Sequence, residues 1–282
     1  MSAKPSTAGT VRAVFLDVDG TYADYGVVPD GHVRVVRAAR EAGHRVLLCT
    51  GRPVSMLPQS ILAAGFDGLV ASAGAYAEVA GEVLVDRRFP ADLAARTVAA
   101  LDAHDAVYIL ESQEALHVPP AAAERLRAIL DAHFRQAPGG PVGSSAILGA
   151  VQQTADRAAV SFAKVSVFDS PVAMEDLVRE IGEDIAVVAN SVADEGRHAG
   201  ELFQRGISKA DGVAAVIAHL GIAREDTIAI GDGANDLEMI AFAGIGVAIE
   251  GSAPELMAIA DRTAAGPRQE GLVAAFAELG LL

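Results

Sequence analysis

Val11-Arg12-Ala13-Val14-Phe15-Leu16-Asp17-Val18-Asp19-Gly20-Thr21 passes from an apolar run directly into two carboxylates and a glycine turn. Apolar residues without helical spacing, closed by Asp-Gly, predict a buried strand over Val11–Asp17. Residues two apart on an extended chain share a face, so Asp17 and Asp19 can both approach one ligand, and Gly20 permits a sharp turn away. An ordinary Asp-Gly turn accounts for Asp19-Gly20 but not for Asp17, which would be costly to bury unpaired behind Val14-Phe15-Leu16. An EF-hand loop is excluded, because Gly20 stands fourth rather than sixth counted from Asp17 and Val28 occupies the place of the bidentate glutamate.

Outward from this strand, helix-like and strand-like runs alternate: Asp30–Ala42, Arg45–Cys49, Val54–Ala64 and Gly68–Ala71, with Gly43 and Gly65 as helix stops. Such alternation predicts βαβ units on a parallel sheet, with ligands taken at the carboxyl ends of the strands, where Asp17 and Asp19 lie. Ala75–Val79 and Val83–Arg87, joined around Gly81, predict a hairpin. The rhythm then changes, with helices at Ala91–His104, Pro120–Phe134 and Pro171–Ile181, strands at Ala106–Glu111, Ser161–Phe168 and Ile185–Ala189, and a Pro/Gly loop at Ala137–Ser145. It returns with helix Lys209–Leu220, strand Thr227–Ile230, helix Asn235–Ala243, strand Gly246–Ile249 and the apolar tail Gly271–Leu279. The expectation is one doubly wound α/β domain built from residues 1–85 and 198–282, interrupted by an α+β insertion at 86–197.

The 282 residues are 51% hydrophobic, and 22 Lys+Arg against 37 Asp+Glu leave a formal charge of −15, which disfavours nucleic acid as a partner. The only lysines are Lys4, Lys164 and Lys209, so a lysine inside a motif stands out. The lone Cys49, within Val46-Leu47-Leu48-Cys49, reads as a buried hydrophobe in a reducing, cytoplasmic setting. Met1–Thr10 has no apolar h-region, and no run approaches the ~18 apolar residues of a membrane span, so neither export nor a membrane is expected. Scattered histidines without His-Glu-x-x-His spacing argue against zinc, and Gly244-Ile245-Gly246 precedes a strand, unlike a dinucleotide fingerprint. Tyr108, Phe162 and Phe168 fall on strand-like runs and are expected in a core, with lining of a substrate pocket by one of them as the alternative.

Three further segments carry chemistry. Thr50-Gly51-Arg52-Pro53 follows the second strand, where Thr50 can direct its hydroxyl at an anion or cap the next helix. Ser208-Lys209 opens a helix, and Gly231-Asp232-Gly233-Ala234-Asn235-Asp236 sets three oxygen-bearing side chains between an apolar strand and a helix. Together with Asp17-Val18-Asp19-Gly20-Thr21, these resemble the four ordered motifs of the haloacid dehalogenase (HAD) superfamily, and more narrowly its class IIB, Cof-type phosphatases. Two departures stand out: Ala73-Gly74-Ala75 where those relatives usually carry Asn-Gly-Ala, and Tyr22-Ala23 in place of an apolar pair.

The resemblance implies a HAD-type Rossmann-like core with an inserted α/β cap of the C2B type. It implies a Mg²⁺-dependent phosphatase of small phosphorylated metabolites, such as a sugar phosphate or a phosphorylated cofactor or its precursor. Asp17 would be the nucleophile, forming an aspartyl-phosphate, and Asp19 the acid/base. Mg²⁺ would be held by Asp17, the backbone carbonyl of Asp19 and Asp232, with Asp236 at the metal or behind it. Thr50, Gly51, Lys209 and Asn235 would hold the phosphoryl group, and Arg52 would reach the substrate or cap, or form a surface ion pair. Phosphotransferase or phosphomutase chemistry, or a non-catalytic phospho-ligand-binding module, are the alternatives.

Overall fold

The computed structural model describes residues 10–136, 147–188 and 197–282. The expected Ala137–Ser145 loop, residues 1–9 and Ala189 lie outside these. The strands are β1 (Ala13–Leu16), β2 (Arg45–Cys49), β3 (Gly68–Ala71), β4 (Tyr76–Val79), β5 (Glu82–Asp86), β6 (Val107–Glu111) and β7 (Leu116–Val118). They continue with β8 (Val151–Gln153), β9 (Lys164–Asp169), β10 (Ile185–Val188), β11 (Gly200–Gln204), β12 (Thr227–Gly231), β13 (Ile245–Ile249) and β14 (Arg262–Ala264).

Eight of them form a sheet in the order β14-β13-β12-β1-β2-β3-β4-β5. It is parallel from β14 to β3, and the hairpin adds β4 and β5 as an antiparallel edge. All four residues of β1 are fully buried, so the strand reads as an unbroken apolar run rather than an alternation. Val14 and Leu16 pack with Val35, Val36 and Phe276 from helices Asp30–Glu41 and Gly271–Glu278. Phe15 packs on the opposite face with Val213, Val216 and Met239 from helices Lys209–Leu220 and Leu237–Phe242. Helices on both faces make the sheet doubly wound, as expected.

The second sheet has the order β10-β11-β9-β6-β7-β8 and is antiparallel except for β7 with β8. On one face Tyr108, Leu110, Val165, Val167 and Leu202 pack with Leu93, Leu101 and Leu177 of helices Ala91–Ala103 and Met174–Ile181. On the other, Ile109 and Phe168 meet Leu126 and Leu130 of helix Ala123–Gln136. Tyr108, Phe162 and Phe168 are all buried.

Two expectations change. Val54–Ala64 is not one helix but a 3₁₀ turn, Val54–Met56, and a short helix, Gln59–Leu62, with Leu57 extended between them. Pro58 offers no N–H and biases its predecessor away from helical geometry, so the periodicity of the segment is overruled. The return to the first sheet comes later than residue 198, because β11 pairs with both β9 and β10. The three-residue strands β7, β8 and β14 carry too few residues for a distinct pattern, and the five-residue β11 opens on Gly200-Glu201, which weakens its strand signal.

The two sheets meet through the turn after β6. Gln113 Oε1 accepts from Val54 N (3.0 Å), its Nε2 donates to Ser72 Oγ (3.1 Å), and Ser55 Oγ donates to Ser112 O (2.9 Å). Among the described residues no helix is long and apolar enough to cross a membrane.

Candidate active site

The site is assembled where β1, β2 and β12 end. Asp17 N donates to Ile230 O (2.9 Å), tying the chain beyond β1 to β12 and setting Asp17 opposite the Gly231–Asp236 segment. The Asp17 carboxylate is buried but paired, with Oδ1 2.6 Å from Lys209 Nζ. The same ammonium lies 2.5 Å from Asp236 Oδ1. Asp236 Oδ2 accepts from the backbone N–H groups of Asp232 (3.0 Å) and Gly233 (2.9 Å), so this fully buried carboxylate holds the loop and the lysine together.

Burial raises the carboxyl of Asp17 well above its ordinary value; Lys209 opposes the shift, and Asp236, Asp232 and Asp19 add to it. Asp232 is pushed up to about 6, chiefly by burial, with Asp236 reinforcing and the Thr21 hydroxyl, donating to Oδ1 at 2.8 Å, opposing. For Lys209 burial works against the charge, yet Asp17 and Asp236 outweigh it and raise its pKa. Ligand oxygens of Asp17, Asp232 and Asp236 lie within 4.8 Å of one another. These are hard oxygen donors with one ammonium among them, a set that suits a small divalent cation.

Glycines permit the close approaches. A Cβ on Gly20, where φ is +83°, would sit 2.3 Å from Asp232 Oδ2. One on Gly74 would fall 1.8 Å from Ser208 O, so Gly74 lets the Lys209–Leu220 helix start against the loop after β3 and deliver its lysine. Ser208 and Asp211 close that helix start, Asp211 Oδ2 accepting from Ser208 N and Oγ, both at 2.8 Å.

A cavity of about 460 Å³ lies above these residues, between the two sheets. Asp17, Asp19, Thr50, Gly51, Asp232 and Asn235 line it, whereas Lys209 and Asp236 stand behind Asp17. Thr50 Oγ1 accepts from Arg52 N (3.1 Å), leaving its proton for another acceptor. A Cβ on Gly51 would meet Asn235 Nδ2 at 3.2 Å, so Asn235 lies over the Gly51 backbone. Arg52 forms an ion pair, but with Asp19 inside the site: Nε to Oδ2 is 2.6 Å and Nη2 to Oδ1 is 2.5 Å.

The opposite wall comes from the second sheet, and there the sequence reading named no site. Ile109 and Glu111 of β6, Lys164, Ser166 and Phe168 of β9, and Glu201 of β11 line the cavity. The available signal was Lys164-Val165-Ser166-Val167, two polar residues on one face of an otherwise apolar strand, one of them among only three lysines.

A family model for haloacid dehalogenase-like hydrolases matches residues 14–276. YkrA of Bacillus subtilis (strain 168), carried under a phosphatase name, is 26% identical over 278 residues, covering 96% of this chain and 98% of that protein. Among solved structures, the HAD subclass IIB sugar phosphatase BT4131 superposes with a TM-score of 0.77 at 21% identity, over 96% of this chain and all of that one. BT1666 from Bacteroides thetaiotaomicron gives 0.77, also at 21% identity, over the whole of this chain and 99% of that one. The structural likenesses bear on the fold, while the family model spans the motifs that carry Asp17, Asp19, Thr50, Lys209 and Asp232. The chain belongs to the haloacid dehalogenase-like hydrolase family and is an enzyme of that fold.

Proposed function

We propose that this enzyme is a cytoplasmic, Mg²⁺-dependent phosphatase of small phosphorylated metabolites, with the second sheet and its helices serving as an α/β cap. The observation that carries the reading is the Asp17 carboxylate at the cavity floor, paired to Lys209 with Asp232 and Asp236 alongside. Asp17, Asp232 and the backbone carbonyl of Asp19 would hold Mg²⁺, and Asp236, both oxygens engaged, would position Lys209 and the loop. The bound cation would offset the repulsion between an anionic nucleophile and an anionic phosphate.

An Asp17 oxygen attacks phosphorus as the bond to the leaving oxygen breaks, giving an aspartyl-phosphate. Asp19 gives its proton to the leaving alkoxide and later takes one from the water that attacks the aspartyl-phosphate, releasing inorganic phosphate and restoring Asp17. Arg52 orients Asp19 through its paired contacts. Thr50, the Gly51 backbone and Asn235 line the place for phosphoryl oxygens, while Lys209 keeps Asp17 in one rotamer and balances its charge.

The test is inorganic phosphate release from sugar, polyol, nucleotide and cofactor monophosphates, with and without Mg²⁺, in wild type and Asp17→Asn. Release that needs both Mg²⁺ and Asp17 supports the reading. Phosphate-mimic binding without release from any ester would overturn it in favour of group transfer or binding alone.

A further inference from the structure

Asp19 is exposed, and among the described residues its carboxylate has one side-chain partner, Arg52, which donates from Nε at 2.6 Å and from Nη2 at 2.5 Å. An exposed pair of two mobile side chains fixes little by itself. The contact sets the direction of Asp19 only if Arg52 is held, and Arg52 is held twice. Its backbone O accepts from Ser72 N (2.9 Å), and its Nη1 donates to Met56 O (3.3 Å).

Both holds depend on Gln113, which lies on the inserted domain. Met56 ends the 3₁₀ turn Val54–Met56, whose bonds are Met56 N to Pro53 O (2.9 Å) and Leu57 N to Val54 O (3.0 Å). So short a turn is marginal alone, and the N–H of Val54 has no partner within it. Gln113, 59 positions further on, supplies one: its Oε1 accepts from Val54 N at 3.0 Å. Its Nε2 donates to Ser72 Oγ at 3.1 Å, so one amide grips both the turn that ends in Met56 and the residue that holds the Arg52 backbone. Ser55 Oγ adds a bond to Ser112 O (2.9 Å), and Met56 packs against the cluster that contains Ile109, Leu126 and Phe168. Gln113 is itself presented by a closed turn, in which Ser112 Oγ accepts from Ala115 N (3.0 Å).

Building on the phosphatase reading, in which Asp19 is the acid/base, we propose that Gln113 is a positioning residue for that group: by holding the Val54–Met56 turn and Ser72 it fixes Arg52, and through Arg52 the Asp19 carboxylate. Gln113 gains and loses no proton; Asp19 gives its own to the leaving oxygen as the bond to phosphorus breaks. Proton transfer needs donor and acceptor within hydrogen-bond reach, and misplacement by about 1 Å can cost up to ~100-fold. The inserted domain thereby takes part in departure of the leaving group through contacts that never reach the substrate. Simple docking of one domain on the other would call for no bracket around Arg52, and its loss would fall alike on every ester.

The experiment measures kcat/KM with Mg²⁺ for benzyl phosphate and 4-nitrophenyl phosphate, esters of similar size of which only the first has a leaving oxygen that needs a proton. Gln113→Met, which keeps the side-chain length and removes both bonds, should lower the value for benzyl phosphate roughly 3–10-fold and leave that for 4-nitrophenyl phosphate within about twofold. Ser55→Ala, the milder variant, should show a smaller loss with the same bias. In an Arg52→Ala background Gln113→Met should add nothing, because its effect runs through Arg52. Equal loss on both esters, no loss on benzyl phosphate, or the same fold-loss with and without Arg52 would overturn the proposal. A wild type that hydrolyses neither ester overturns the phosphatase reading instead. The positioning is then read without turnover, from the NMR order parameter of the Arg52 Nε–H, assigned by its absence in Arg52→Ala. A fall to below about 0.6 in Gln113→Met upholds the proposal, and a value equal to wild type refutes it.

Discussion

Lys209→Met removes the ammonium that lies 2.6 Å from Asp17 and 2.5 Å from Asp236 while keeping most of the side-chain volume. Both carboxylates are then buried without a cation, and breaking a buried pair in this way costs about 3–5 kcal/mol. An independent route gives the same size. One carboxylate can escape the repulsion by taking a proton, and for a group of ordinary pKa 3.8 at pH 7 this costs about 4 kcal/mol. The second route also fixes the pH dependence: the raised carboxyl binds a proton in the folded variant and not in the unfolded chain, so the deficit is full at neutral and alkaline pH. It shrinks as pH falls towards 4, where the unfolded chain is protonated too. Urea unfolding in metal-free buffer, followed by circular dichroism because the chain has no tryptophan, measures the deficit from pH 4 to 8. Adding Asp236→Asn to Lys209→Met should recover part of it, since one of the opposed charges is gone. A Lys209→Met protein as stable as wild type at pH 8 would refute the view that this lysine exists to make burial of Asp17 affordable.

Gly74→Ala should cost about 2–5 kcal/mol and lower turnover, because its Cβ would press on Ser208 O at a φ of +101° and displace the start of the helix that carries Lys209. Gly81→Ala, at φ +82° with open space around it, is the control and should cost about 1 kcal/mol in the same unfolding assay. His32 is neutral in the fold: Nδ1 must donate to Tyr22 O (2.9 Å), Nε2 accepts from Leu272 N (3.3 Å), and burial lowers its pKa. Stability should therefore fall as pH drops below 6.5, by up to about 1.4 kcal/mol per pH unit, a slope that His32→Gln removes in pH-dependent melting. Arg52→Ala leaves Asp19 without its paired contacts and should lower kcat roughly 10-fold for alkyl phosphates, whose leaving oxygen needs a proton, and less for acetyl phosphate.

Sequence alone reveals the features that local chemistry imposes. A buried parallel strand must be apolar throughout, so β1 and the carboxylates at its end stand out within a few residues, and the same holds for β12 and Asp232. Lys209 was legible through its rarity and its place at a helix start. Its contacts were not, because Asp17 lies 192 positions away and only the sheet order brings the two together. Placing Lys209 with the phosphoryl-binding residues at the cavity followed from the motif; its full burial behind Asp17 follows from Gly74, whose lack of a Cβ lets the Lys209–Leu220 helix start against the loop after β3. Glu111, Lys164 and Glu201 escaped for a related reason. Each is a charged residue on a mostly apolar strand of its own, and only the register of β6, β9 and β11 gathers them. Pro58 was the one local signal that could have corrected the Val54–Ala64 helix.

The docking turn joins these two halves of the site. Glu111 ends β6, and Ser112 and Gln113, which follow directly, grip Val54, Ser55 and Ser72 in the turns after β2 and β3. Ser72 and Ala73 are non-glycine residues at φ +48° and +54°, a conformation that costs of order 1 kcal/mol each and persists only where neighbours impose it. Here the neighbours are the phosphate-end loop: Ser72 N donates to Arg52 O (2.9 Å) and Ala73 N to Thr50 O (3.1 Å). The strained pair thus connects the loop carrying Thr50 and Arg52 to the turn adjoining Glu111, and Arg88 braces that turn from outside by pairing Glu114 at 2.7 Å and Asp86 at 2.9 Å. Because one set of contacts seats the turn and holds the Thr50–Arg52 loop, a change that loosens Gln113 alters both the reach of Glu111 and the setting of Arg52. The two walls of the cavity, although they lie on different sheets, are therefore held to one another through these contacts.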